Sequence, residues 1–194
     1  MDKTLLPVII GAISGAFVAA IGWFVVHGLS SRREIAARRD NAARNYLEKQ
    51  IEELYGPLLG LIKHSRMAFA VATRKLPNTE NGQIDFGRFS ERDSEIWHFF
   101  VENYFLPVNA EIRRLLRSKM HLLESGVLPR SFEDFFLHEV QFEALHTLWK
   151  AYGVDSSNIS GPGWPTDFEA DVRNVLEQLR TRHQVFLHRT GATQ

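Results

Sequence analysis

Two short patterns in the sequence have the spacing of metal ligands: Glu95 with His98, and Glu143 with His146. Residues three apart share one face of a helix, so a glutamate and a histidine in this order reach one ion. Carboxylate-bridged di-iron bundles use two such pairs on separate helices, plus one glutamate from each of two others. Glu52 or Glu53, and Glu169 or Glu177, have the right chemistry for that role. A helical carboxylate-bridged metalloenzyme is therefore the alternative reading of this chain.

The facing of the pairs argues against it. On the helix carrying Glu95, the apolar arc is centred on Ile96, Phe100 and Tyr104, with Glu95, His98 and Glu102 opposite. On the next helix, Leu145, Leu148, Trp149 and Tyr152 define the arc. Glu143 lies opposite with Glu139 and Lys150, and His146 sits at the edge. Ligands of a bundle metal must point inward, so no metal set and no cofactor is assigned. His138 differs: it projects from the apolar arc between Phe142 and Leu145 and marks a possible buried polar site. An imidazole in that position needs a partner, and it changes charge near neutral pH.

Other chemistry is missing from the sequence. There is no cysteine, hence no disulfide, thiolate ligand or cysteine nucleophile. "SGPGWP" has glycines without the lysine of a phosphate loop, and neither G-x-S-x-G nor HExxH occurs. Lysines plus arginines equal aspartates plus glutamates at 23 each, and no nucleic-acid reader motif is present, so no nucleic-acid partner is expected. Arg113, Arg114, Arg117 and Lys119 form a basic cluster suited to a helix C-terminus.

The elements that must position these residues begin with an apolar run. From Leu5 to Leu29 there is no charged residue. As a helix, that run covers roughly 37 Å, more than the ~30 Å hydrocarbon core. It is too long for a signal peptide, and it exits into Arg32, Arg33, Arg38, Arg39 and Arg44. Positive flanks stay inside. The expectation is a single-pass span in the cell's inner (plasma) membrane, with the N-terminus outside and the remainder cytoplasmic. Gly11, Gly15 and Ala19 make a ridge of small residues along which two membrane helices can approach. Arg32 and Arg33 are placed to meet lipid headgroups, whereas the later arginines scatter around the helix as on a stalk.

Beyond the stalk, Leu47, Ile51, Leu54, Leu58 and Leu61 follow a 4-3-4-3 spacing that Ser65, Ala68 and Ala72 continue. Pro57 interrupts that helix and Pro107 interrupts the second, so both should kink or restart there. The second helix starts near Ser90 or Asp93 and runs to Ser125. A third runs from a Ser131–Asp134 capping box to Tyr152, and a fourth from a Thr166–Glu169 box to about His188. No segment alternates with period two.

The chain thus reads as all-α: a membrane helix over 1–29, a basic juxtamembrane stalk over 30–46, a bundle of about four helices over 47–190 and a tail over 191–194. The function expected is non-enzymatic. A membrane-anchored interaction or scaffold module, with sensor or effector as a variant of that role, would have as partners the lipid bilayer and either a second copy or another protein.

Overall fold

The structure is a computed structural model. It describes the backbone of residues 5–124, 126–153 and 163–191, and the side chains of 23–24, 26–124, 126–153 and 163–188. The chain divides into two compact units, 1–45 and 46–194.

The first unit is helical. Helix α1 runs without interruption from Leu5 to Lys49, 45 residues, and its last turn enters the second unit. Among the described residues no helix is long and apolar enough to cross a membrane. The expected span, including Gly11, Gly15 and Ala19, falls largely on side chains outside the described residues. Arg32 and Arg33 are exposed on α1.

The second unit is a helical bundle. A π-helical turn, Gln50–Tyr55, joins α1 to α2 (Gly56–Thr73). After a loop come α3 (Glu91–Phe100), a second π-helical turn (Val101–Phe105) and α4 (Leu106–Lys119). Helices α5 (Arg130–Tyr152) and α6 (Phe168–Gly191) complete it. Among the described residues the only extended pairing is an isolated bridge between Asn78 and Ile84 in the loop after α2. α2 packs on α4 and α6, and α5 packs on the same two, so the four close a ring around the core.

The prolines disturb their helices in a form the period of the sequence does not show. Each follows a π-helical turn rather than an abrupt break. The Gly56 N–H donates to the Ile51 carbonyl, and the Leu106 N–H to the Val101 carbonyl. Widening the turn by one residue carries the ladder past the position where proline has no N–H and its ring crowds the preceding carbonyl. Pro57 and Pro107 then sit in the first turn of α2 and α4, where no donor is needed. The two sites match in sequence, with "IEELYGP" at 51–57 and "VENYFLP" at 101–107.

An extra residue also turns the buried face. Leu47, Leu54, Leu58, Ser65, Ala68 and Ala72 are buried as the seam requires, but Tyr55 and Ile62 are buried where Leu61 is only half-buried. In the second helix Val101 and Phe105 are buried, and the expected core residue Tyr104 is exposed.

Capping differs in three places. Ser90 does form a capping box with Asp93, each side chain bonding the other's backbone N–H. Ser131 does not cap: α5 starts after Pro129, and the Ser131 hydroxyl donates to Asp171 of α6 at 2.6 Å. The Glu169 carboxylate is held by Arg66 and Arg173 instead of closing a box with Thr166. The second helix ends at Lys119 rather than Ser125, passing into the short Met120–Leu122 turn. That turn is fixed to the first helix: Gln50 donates to the Leu122 carbonyl at 2.9 Å and Tyr46 to the His121 carbonyl at 2.9 Å.

Helix α5 presents a different face from the one its apolar residues suggest. Phe132, Phe135 and Glu139 are buried, whereas Leu148 is exposed and Tyr152 is 76% exposed. Glu139 faces inward because Arg113 of α4 meets it there at 2.6 Å. Phe99 is exposed despite its large apolar ring.

Candidate functional site

Two apolar clusters fill the bundle. One gathers Leu54, Leu58, Ile62, Ile112, Phe132, Phe135, Phe168 and Leu179 among others. The other gathers Ala68, Ala72, Leu76, Val101 and Phe105. Between them lies a cavity of about 500 Å³. Its walls take residues from both clusters: Ile62 belongs to the first and Trp164 packs against it, and Phe105 belongs to the second with Trp97 and Phe142 packed against it.

Every helix of the bundle contributes to the cavity. α2 supplies Ile62, Ser65, Arg66 and Phe69 at helical spacing. Trp97 comes from α3 and Phe105 from the π-helical turn, with Asn109 one turn further on in α4. His138 and Phe142, four apart, come from α5; Trp164, Thr166 and Glu169 come from the start of α6 and the residues before it. The rings interlock around the space. Trp97 and Phe105 lie with centroids 5.5 Å apart, and Phe69 and Phe105 6.3 Å apart. His138 stacks on Phe142 at 5.7 Å and meets Trp164 edge-on at 5.6 Å. His138 is thus a half-buried wall residue with aromatic neighbours, beside a cavity rather than inside solid core. Trp164 packs on the bundle, edge-on to Phe135 at 5.7 Å.

Polar side chains stand between the rings: Ser65, Arg66, Asn109, His138, Thr166 and Glu169. Arg66 and Glu169 face each other at 3.0 Å, and Arg173 also holds Glu169. Burial works against the charge on Glu169, but the hydrogen bonds from the two arginines outweigh it and keep the carboxyl below its ordinary range. Asn109 is the residue that sequence reasoning missed. It is 2% exposed, it lines the cavity, and its Oδ1 has no hydrogen-bond partner among the described residues. Its phase, three before the buried Ile112 and four after the buried Phe105, was the available signal.

The two Glu-x-x-His pairs do not converge. Their histidines approach, with ring centroids 6.3 Å apart, but His98 lies flat on Trp149 at 3.6 Å. Glu143 is taken by Arg113 at 2.7 Å, and Glu95 is exposed. The carboxylate beside His146 is instead Glu102, at 3.3 Å, and Lys150 holds the same oxygen at 2.7 Å. That lysine is the main reason the Glu102 carboxyl titrates below its ordinary range. Burial, and then the charge of His146, push His98 down from its usual value. Among the described residues no three histidine, aspartate or glutamate side chains gather as a metal site.

The basic cluster on α4 is largely spoken for. Arg113 pairs with Glu139 and Glu143, and Lys119 with Glu53 at 2.6 Å. Arg114 lies 3.6 Å from Glu111 and is well exposed. Pairing with other elements thus holds Arg113 and Lys119, while Arg117 keeps the last-turn position that the helix dipole favours.

The cavity combines ring walls, a satisfied ion pair at one side and a buried carboxamide, a make-up also found in small-molecule pockets. Comparison of the chain with protein-family models, with curated proteins and with solved structures finds no match.

Proposed function

We propose that the chain is a non-enzymatic, single-pass membrane-anchored interaction module. Its N-terminal helix spans the inner (plasma) membrane with the N-terminus outside, and its bundle works in the cytoplasm. There it serves as a scaffold or sensor, with a second copy of the chain as its first partner and a small ligand in the bundle cavity.

One observation carries the anchoring: the charge-free run from Leu5 to Leu29 belongs to one uninterrupted helix that continues through the arginines to Lys49. A continuous helix satisfies its own backbone in lipid. The arginines supply the orientation, and Arg32 and Arg33 reach anionic headgroups. The cavity supports the sensing part, because its lining sets aromatic walls beside polar groups that can orient a ligand.

The pairing of copies rests on Gly11, Gly15 and Ala19. A leucine in that ridge separates the backbones and removes the close packing that drives association in lipid. Gly15→Leu is expected to lower self-association of the full-length chain in native membranes at least severalfold, read by energy transfer between labelled copies. Unchanged transfer would remove this ridge from the interface.

A pull-down of the tagged chain from gently solubilised membranes, read by mass spectrometry, tests the interaction role. Recovery of the chain with itself or with one stoichiometric protein agrees with it. A purified chain that is monomeric and alone at membrane concentrations opposes it.

A further inference from the structure

The apolar part of the cavity wall is almost all rings: Phe69, Trp97, Phe105, Phe142 and Trp164, with His138 beside them, against one aliphatic side chain, Ile62. A site for an acyl chain needs no such excess of rings, since methylene groups gain as much from leucine or valine. Ring walls reward another π-system, which stacks with offset or meets their edges. They also reward a cation held over their faces. Charge decides between the two. Glu169, the carboxylate of the lining, is already bound by Arg66 and Arg173. A cation entering the cavity finds no free carboxylate among the described lining residues and two guanidinium groups nearby.

Asn109 adds a polar requirement. A carboxamide has both donor and acceptor capacity. Here the residue is 2% exposed and its oxygen is unpartnered in an apolar setting. A buried polar atom without a partner is costly, and a ligand group or a water that satisfies it recovers that cost. The residue lines the cavity while its oxygen is turned from the open space, so a rotation of the carboxamide on ligand entry presents that oxygen to the ligand.

We infer that the cavity binds a neutral, planar aromatic molecule of more than one ring that carries an amide or similar hydrogen-bonding group, stacked among Trp97, Phe105 and Trp164 and hydrogen-bonded to Asn109. This deepens, and rests on, the reading of the cavity as a ligand site. A volume of about 500 Å³ lies within the range of small-molecule pockets.

The test uses the full-length chain in phosphatidylcholine nanodiscs, with empty discs as background. Four probes are titrated: naphthalene-2-carboxamide, its shape-matched hydrocarbon 2-isopropenylnaphthalene, tetramethylammonium and dodecanoate. Binding is read by calorimetry and by the fluorescence of Trp97 and Trp164. The carboxamide is expected to bind saturably and to change the tryptophan emission. Asn109→Leu, close in shape, is expected to weaken carboxamide binding by about tenfold, the worth of one good hydrogen bond. It should leave the hydrocarbon unaffected, and it should not lower the unfolding temperature, because it removes a buried unpartnered atom. Phe69→Ala, at an exposed wall position, should weaken both aromatic probes and serves if the leucine variant fails to fold. Saturable binding of dodecanoate or tetramethylammonium without the carboxamide would overturn the ligand class while leaving a ligand cavity. Carboxamide binding indifferent to Asn109→Leu would overturn the hydrogen bond and leave water as the partner of Asn109. No saturable binding of any probe would overturn the class and the ligand-site reading together.

Discussion

Replacing Phe135 by alanine is expected to lower the unfolding free energy of the bundle by about 3–5 kcal/mol. Its ring is 0% exposed, stacked on Phe168 at 5.0 Å and edge-on to Trp164 at 5.7 Å. Phe132 meets the same Phe168 ring at 5.1 Å. These rings come from α5, from α6 and from the residues before α6, so neither helix can move to refill the space without losing its own contacts. Domains of this size have about 5–15 kcal/mol in total, so one side chain holds a large share. Urea unfolding of the full-length chain in micelles, followed by near-ultraviolet circular dichroism, should show a lower midpoint with an unchanged slope. Phe135→Leu should cost markedly less, because most of the volume is kept. A loss under about 1 kcal/mol in the alanine variant would contradict this packing. Because Trp164 leans on Phe135 and also lines the cavity, the alanine variant should loosen ligand binding as well.

Arg113→Ala is expected to cost about 3 kcal/mol for a different reason. Glu139 is 2% exposed, and Arg113 of α4 is its cation, at 2.6 Å. Removing the arginine leaves a carboxylate buried without its counter-charge. Burial already raises the Glu139 carboxyl above its ordinary value, and Arg113 pulls it partly back. A raised carboxyl makes a contribution that is complete below the ordinary value of 4.5 and lost as pH rises through the folded-state value. Without Arg113 the folded-state value climbs further, so the gap between variant and wild type should be small at acid pH and widen toward neutrality. A gap that is constant with pH would contradict the role of Glu139. Arg113→Met with Glu139→Leu should come within about 1 kcal/mol of wild type, because neither charge is then stranded. Glu143, the other partner of Arg113, is half-exposed and tolerates its release.

These two residues also show what a sequence can and cannot convey. The helices were legible because their apolar residues recur with a helical period and their ends carry local signals such as Ser90 with Asp93. Phe135 was legible as core because a phenylalanine amid such a pattern has nowhere better to go. Glu139 was not. Its charge places it outward on α5, and only Arg113, on another helix, makes the inward position tolerable. That pairing then leaves Leu148 and Tyr152 exposed, against their apolar character. The π-helical turns were invisible for a related reason. A period of 3.6 describes regular helix, and one inserted residue before Pro57 or Pro107 shifts the buried face without changing composition. Of the site, His138 was marked by its place on an apolar arc, whereas the Glu-x-x-His pairs had metal-ligand spacing but had partners elsewhere: Arg113 for Glu143 and Trp149 for His98. Asn109 went unnoticed because a single asparagine in a helix carries no signal until the phase of that helix is fixed.

The most direct test of the membrane-anchored reading is topology. The chain has no cysteine, so a single introduced thiol reports its own side of the membrane. Asp2→Cys and, separately, Asn174→Cys at an exposed position of α6 would be treated with an impermeant maleimide in sealed right-side-out vesicles washed with alkaline carbonate. A single-pass anchor with its N-terminus outside predicts that the chain stays in the washed membranes, that the thiol at position 2 reacts at once, and that the thiol at position 174 reacts only after detergent. Release of the chain by carbonate, or immediate reaction at position 174, would contradict it.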